Sequence, residues 1–223
     1  MYEQHWRYMQ RIIELGDGLG LYARYNTNLS RIHYRGVDLF GDILSRIRDW
    51  QICASLDGTE RIGEYIRTGL DYAQWCSNFE HGLRYATNPR QMRIDFTLTL
   101  PGMFEIAAME RLSQKYGVQL LAKVVFSFSP DIVMSPLCLP RSLLDPWLDE
   151  LISESTGAIR DVLMQLKTRP TFAEQWPDQY QAGLSKGKAR ILKLEQIRTQ
   201  KITMTDILSQ RPDVAKWWIE IET

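Results

Sequence analysis

The sequence predicts an α/β protein: a partial (β/α) barrel or open sheet of about four parallel strands, followed by a mainly helical extension. Three observations carry this. Short apolar runs bounded by turn residues, such as Ile52, Cys53, Ala54, Ser55 and Leu56 before Asp57-Gly58, have the pattern of buried strands. Stretches with apolar residues three and four apart, such as Leu39, Phe40, Ile43, Leu44 and Ile47, have the pattern of helices. The two patterns alternate through the first part of the chain, and such alternation means parallel strands joined by right-handed crossovers. Four strands are too few to close a barrel. After Pro130 the character changes, with Pro136, Pro140, Pro146, Pro170 and Pro177 punctuating the remainder. The chain therefore divides into an α/β portion, residues 1–140, and a helical extension, residues 141–223.

Each element has its own signal. Residues 1–15 give an amphipathic helix with Tyr2, Trp6, Met9 and Ile12 or Ile13 on one side, stopped by Gly16-Asp17-Gly18. Residues 21–25 give a strand ending in Asn26-Thr27-Asn28. A helix is expected over 37–49 and the central strand over 52–56. Residues 65–86 give a longer helix, in one piece or two, with Tyr72, Cys76, Phe79 and Leu83 on a core face, broken at Asn88-Pro89. Residues 92–100 alternate strictly: Met92, Ile94, Phe96, Leu98 and Leu100 against Arg93, Asp95, Thr97 and Thr99. That is the clearest strand; its polar side suits either solvent or a polar barrel interior. Phe104, Ala108 and Leu112 mark a helix stopped near Gly117, and residues 118–128 form the last strand. In the extension, residues 143–167 and 186–201 are helical. Thr205 is a candidate cap for a short helix, and Pro212-Asp213 starts another carrying Trp217 and Trp218.

Composition bounds the function. The 223 residues are 44% hydrophobic, enough for a sizeable core. Basic and acidic residues balance at 27 each, so nothing electrostatic points to nucleic acid or an anionic membrane. No apolar run has spanning length, and the first ten residues are too polar for a secretory signal. Cys53, Cys76 and Cys138 are widely spaced and odd in number, which argues for a reducing, cytoplasmic setting and against a disulfide framework. They also lack the spacing of a zinc or iron–sulfur site, and no metal-ligating set is expected.

Ser55 and Asp57 stand at the exit of the central strand, where α/β sheets place ligands. Arg67 follows twelve residues after Ser55 and can fold back over the same mouth. A hydroxyl, a carboxylate and a guanidinium there suit a zwitterionic small molecule. The plainer alternative makes Asp57-Gly58 a turn and Arg67 a surface cation. Asn26, Thr27 and Asn28 either line a pocket or hydrogen-bond their own turn.

The runs YNTNLS (25–30), ASLDG (54–58) and GEYIRTGLDY (63–72), in this order, resemble radical S-adenosylmethionine enzymes, most closely the group carrying the auxiliary module called twitch. The resemblance covers residues 1 to about 140. It implies part of a (β/α)₆ barrel with S-adenosylmethionine inside it, where a [4Fe–4S] cluster reduces the sulfonium to start radical chemistry. By motif position, Ser55 matches the hydroxyl that contacts the methionyl part, and Arg67 the arginine that meets its carboxylate. Phe128 matches the sixth-strand position that packs near the adenine, and Asn28 sits near the cofactor mouth.

The departure is large. The family's CxxxCxxC cluster motif and its Gly-Gly-Glu run have no counterpart here. Cluster thiolates come close together on one loop, which these three cysteines do not. The expectation is therefore the C-terminal portion of a truncated or split enzyme. It would bind S-adenosylmethionine weakly and need an N-terminal half that carries the cluster. The alternative is a non-catalytic interaction or scaffold protein derived from that fold. Without two neighbouring strands, residues 21–25 would form an open edge, inviting that partner or self-association.

Overall fold

A computed structural model of the chain describes residues 3–16, 20–199 and 201–223. Tyr2, Asp17 and Gly18, parts of the expected first helix and its stop, lie outside the described residues. Helix α1 (Glu3–Glu14) buries Trp6, Met9 and Ile13, the stripe its spacing predicts. Strand β1 (Tyr22–Thr27) follows, then a short hairpin of β2 (His33–Tyr34) and β3 (Val37–Asp38) that the sequence did not announce. Strand β4 (Asp49–Ser55) starts three residues before the expected run. Helices α2 (Glu60–Ile66) and α3 (Tyr72–Leu83) are two pieces, separated by Gly69 at φ 87°. Strand β5 (Met92–Leu98), helix α4 (Ile106–Tyr116) and strand β6 (Gln119–Val124) complete the α/β part.

The four long strands form one parallel sheet in the order β1-β4-β5-β6. Among the described residues, β1 pairs on one side only, so it is an open edge where one was expected. Alternation along the strands gives the sheet two unlike faces. On one, Trp50, Ile52, Ala54, Ile94, Phe96 and Leu98 are buried and join the core with Phe79 of α3 and Met109 of α4. The other carries Arg24, Asn26, Gln51, Ser55, Arg93, Asp95 and Lys123, and Arg24, Asn26 and Lys123 on it are exposed. Asp95 is buried there and pairs with Lys123 at 2.7 Å. Parallel sheets ordinarily bury both faces in apolar contacts. This one buries a single apolar face.

Residues 37–49 are not the expected α-helix. Asp38 ends β3 and its carboxylate accepts the amides of Phe40 and Gly41, which caps one π-helical turn over Leu39–Ile43. Leu39, Phe40, Ile43 and Leu44 are all buried, while Asp42 and Ser45 face solvent. The helical spacing was real, but it marks turns too short to propagate.

The extension contains α5 (Arg141–Glu154), α6 (Gly157–Thr168), α7 (Phe172–Gln175), α8 (Tyr180–Ile197), α9 (Met204–Leu208) and α10 (Pro212–Glu220). Thr203, not Thr205, caps α9, in a reciprocal box with Asp206. Trp218 is buried and Trp217 half-buried. Gly183 and Gly187 of α8 lie against Pro130, Asp131 and Val133, and a Cβ at Gly187 would stand 2.6 Å from the Asp131 carbonyl oxygen. Asp131 reaches back to Lys186 at 3.0 Å and Arg190 at 3.1 Å. These contacts fasten the extension to the segment after β6. Among the described residues no helix is long and apolar enough to cross a membrane.

Candidate functional site

An open cleft of about 520 Å³ lies at the carboxyl ends of β1 and β4, lined by His5, Tyr25, Asn26, Thr27, Asn28, Ser30 and Ser55. Strand pairing builds it: Thr27 is level with Ala54, so the two strands end together and their exits share one mouth. Ser55 is half-buried at the rim. Asn28 does both things its position allows. It lines the cleft, and its Oδ1 accepts from Ser30 N at 3.2 Å and Ser30 Oγ at 2.9 Å.

Two non-glycine residues here lie in the left-handed region: Leu29, two residues past β1, at φ 49°, and Glu60, the first residue of α2, at φ 41°. Such backbone costs on the order of 1 kcal/mol or more and persists only where neighbours enforce it. Leu29 is fully buried, its amide donates to Thr27 Oγ1, and Asn78 donates to its carbonyl. The loop after β4 is pinned by carboxylates. Asp57 accepts from Thr97 N at 2.9 Å, and Glu105 accepts from the hydroxyl of Thr59 at 2.7 Å. Gly63 is required there, because a Cβ would lie 2.2 Å from the Gly58 carbonyl oxygen.

Arg67 lies just past α2, and its Nε pairs with Asp57 Oδ2 at 2.7 Å. Asp57 is therefore an anchor for Arg67 as well as a turn residue, and Arg67 is not among the residues lining the cleft. The extension buttresses this helix. Tyr65 donates to Glu195 at 2.7 Å, Glu195 also accepts from Met204 N at 2.6 Å, and Arg198 donates to the Tyr65 carbonyl at 2.9 Å. Phe128 falls outside the site. The sixth strand stops at Val124, and Phe128 is 78% exposed, stacked on Phe126 with ring centroids 5.6 Å apart.

So the fold brings Ser55 and Asn28 together, holds Arg67 on Asp57, and leaves Phe128 in solvent. Three lining residues were missed: His5, Tyr25 and Ser30. His5, from α1, packs edge-on against Tyr25 at 4.9 Å. Burial lowers the His5 pKa, and burial pushes the Tyr25 phenol up to about 12. The only sequence signal for His5 is a polar residue next to Trp6 on the inward side of α1. Two other clefts, about 550 and 720 Å³, lie along β6 and α6 and at the amino ends of the strands. The latter is not the end at which α/β sheets place ligands.

The thiols do not suit a cluster. Cys53 and Cys138 are buried, Cys76 is half-buried on α3, and no group of three converging ligand atoms among the described residues contains a cysteine. Comparison with protein-family models, with curated proteins and with solved structures gives no match.

Proposed function

We propose that this chain binds the aminoacyl end of S-adenosylmethionine at the mouth of β1 and β4, as four strands of a larger (β/α) barrel. The observation that carries this is the cleft where Asn28 and Ser55, far apart in sequence, share one opening at the carboxyl end of a parallel sheet. The polar, partly open sheet face supports it, because such a face suits a barrel interior. The strained residue Leu29 just past β1 supports it too. The resemblance of the three motif runs to radical S-adenosylmethionine enzymes names the ligand.

The Ser55 hydroxyl and Asn28 amide offer hydrogen bonds to the ligand's polar end, and Arg67 meets its carboxylate once released from Asp57. When bound, the cofactor supplies a sulfonium whose reductive cleavage starts radical chemistry in that family. Reduction needs a cluster that this chain's cysteines do not fit, so no redox step is assigned to it. The open edge of β1 is the place for a cluster-bearing segment to add strands. One observation favours the second reading, a non-catalytic interaction module: the Asp57–Arg67 pair already occupies the carboxylate receptor.

Titration calorimetry of the full chain with S-adenosylmethionine tests the proposal. The expected dissociation constant is roughly millimolar or weaker, since one charge-assisted contact contributes about 1.5–3 kcal/mol and millimolar binding needs about 4 kcal/mol. Ser55→Ala should weaken it and Arg67→Ala abolish it. Binding untouched by both substitutions would overturn the placement, and no binding at all would leave the interaction module.

A further inference from the structure

Three histidines occur in the chain, and two of them converge on a single carboxylate oxygen. His33 Nε2 lies 2.8 Å and His81 Nε2 2.9 Å from Oδ2 of Asp38. All three ligand atoms lie within 4.8 Å of one another. They come from three elements, β2, β3 and α3, and from positions too far apart for a spacing motif. The other oxygen of Asp38 is held by the amides of Phe40 at 2.9 Å and Gly41 at 2.5 Å. The carboxylate is thereby oriented so that Oδ2 alone faces the imidazoles.

We propose that His33, Asp38 and His81 bind a divalent transition-metal ion of the zinc class, leaving further positions to water. Two imidazoles and one monodentate carboxylate are a regular donor set for such an ion, and three protein ligands with an open position are a recognised arrangement. Bonds of about 2.0–2.2 Å put ligand atoms roughly 3.3 Å apart in a tetrahedron. The Asp–His distances therefore open by about half an ångström, and the imidazole nitrogens close by at most about 1.5 Å. His33 can make that movement, since its side chain is 62% exposed. Bound there, the ion staples the β2–β3 hairpin to α3.

Arg84 sets the affinity. Its Nη2 lies 3.0 Å from His81 Nδ1. A guanidinium only donates, so His81 keeps its proton on Nε2 and gives it to Asp38. A metal ion on Nε2 requires that proton on Nδ1, facing Arg84, so the exposed Arg84 side chain must swing away. A metal-bound histidine is normally strengthened by an acceptor at its second nitrogen, and here a donor stands in that place.

The test is calorimetric titration of the chelator-treated full chain with Zn²⁺, followed by Co²⁺ as a visible probe. One ion per chain and a higher melting temperature in Zn²⁺ are expected. His33→Ala, an exposed substitution that spares the core, should weaken binding tenfold or more. Arg84→Glu, which gives His81 an acceptor, should tighten it about tenfold. Absence of binding, or affinity unchanged in His33→Ala as cysteine ligation would give, overturns the site. Affinity unchanged in Arg84→Glu overturns the role of His81 Nε2.

Discussion

Asp57→Asn separates the structural role of the arginine from the functional one proposed for it. The wild-type Asp57 side chain is 8% exposed, with Oδ1 accepting from Thr97 N and Oδ2 pairing with Arg67. Asparagine is isosteric and can keep the Thr97 contact through its carbonyl, which leaves its amide facing Arg67, donor against donor. Removing one partner of a buried pair costs about 3–5 kcal/mol when the other is trapped. Arg67 is not trapped, since its side chain is 30% exposed and can turn to water. Arg67 Nε lies against Oδ2 without hydrogen-bond geometry, so the cost should fall to the low end of a charge-assisted contact, about 1.5 kcal/mol. At this chain length that lowers the melting temperature by roughly 3–6 °C. Ligand affinity should move the opposite way, because the guanidinium no longer has to leave a carboxylate to meet one. Recovering about 1.4 kcal/mol tightens S-adenosylmethionine binding about tenfold. Calorimetry and thermal unfolding on the same preparation read both effects. A variant that loses stability and binds no more tightly would refute the idea that Arg67 is the carboxylate receptor.

Two further predictions concern the loops that hold the fold together. Gly63→Ala gains about 1 kcal/mol of helix propensity, yet its Cβ meets the Gly58 carbonyl at 2.2 Å. It should lose about 1–3 kcal/mol net in urea unfolding, and equal or greater stability would contradict the close approach. Hydrogen bonds from Ser129 and Lys186 hold the Asp131 carboxyl at about 2, below the roughly 3.9 of an unfolded chain. A depressed folded-state pKa adds stability above about pH 4 that is lost as pH falls toward 2. The difference between wild type and Asp131→Asn should therefore shrink across that window, and a difference constant from pH 2 to 5 would count against it.

The strands were legible because burial on one face writes itself into residue order. Ile52–Leu56 and the Met92–Leu100 alternation predict β4 and β5, with errors at the β5 end, which stops at Leu98, and at the β4 start, where Asp49 and Gln51 hide a strand that is polar on its second face. The stretch 37–49 failed for the opposite reason. Its apolar residues have helical spacing, but the side chain that decides the local structure is Asp38, which satisfies two amides and stops the chain from propagating a helix. Thr203 was passed over as a cap in favour of Thr205, though the acid three residues after Thr203 completes its box.

The site was half legible, and the division follows from how side chains are partnered. Ser55 and Asn28 sit at strand ends, so the strand reading alone carries them to a common mouth. Arg67 was placed near that mouth, but sequence order does not say which carboxylate claims a guanidinium, and here it is Asp57, ten residues back in the loop before α2. Phe128 was assigned by motif position, on a strand expected over 118–128, and the ladder ends at Val124. Two consequences of the fold then support each other. Among the described residues, one face of the parallel sheet is polar and partly open, and β1 pairs on one side only. On the proposed reading, strands added beside β1 would extend the ladder and curve the polar face inward in a single step, so the proposal puts its partner at that edge and not on the helical side.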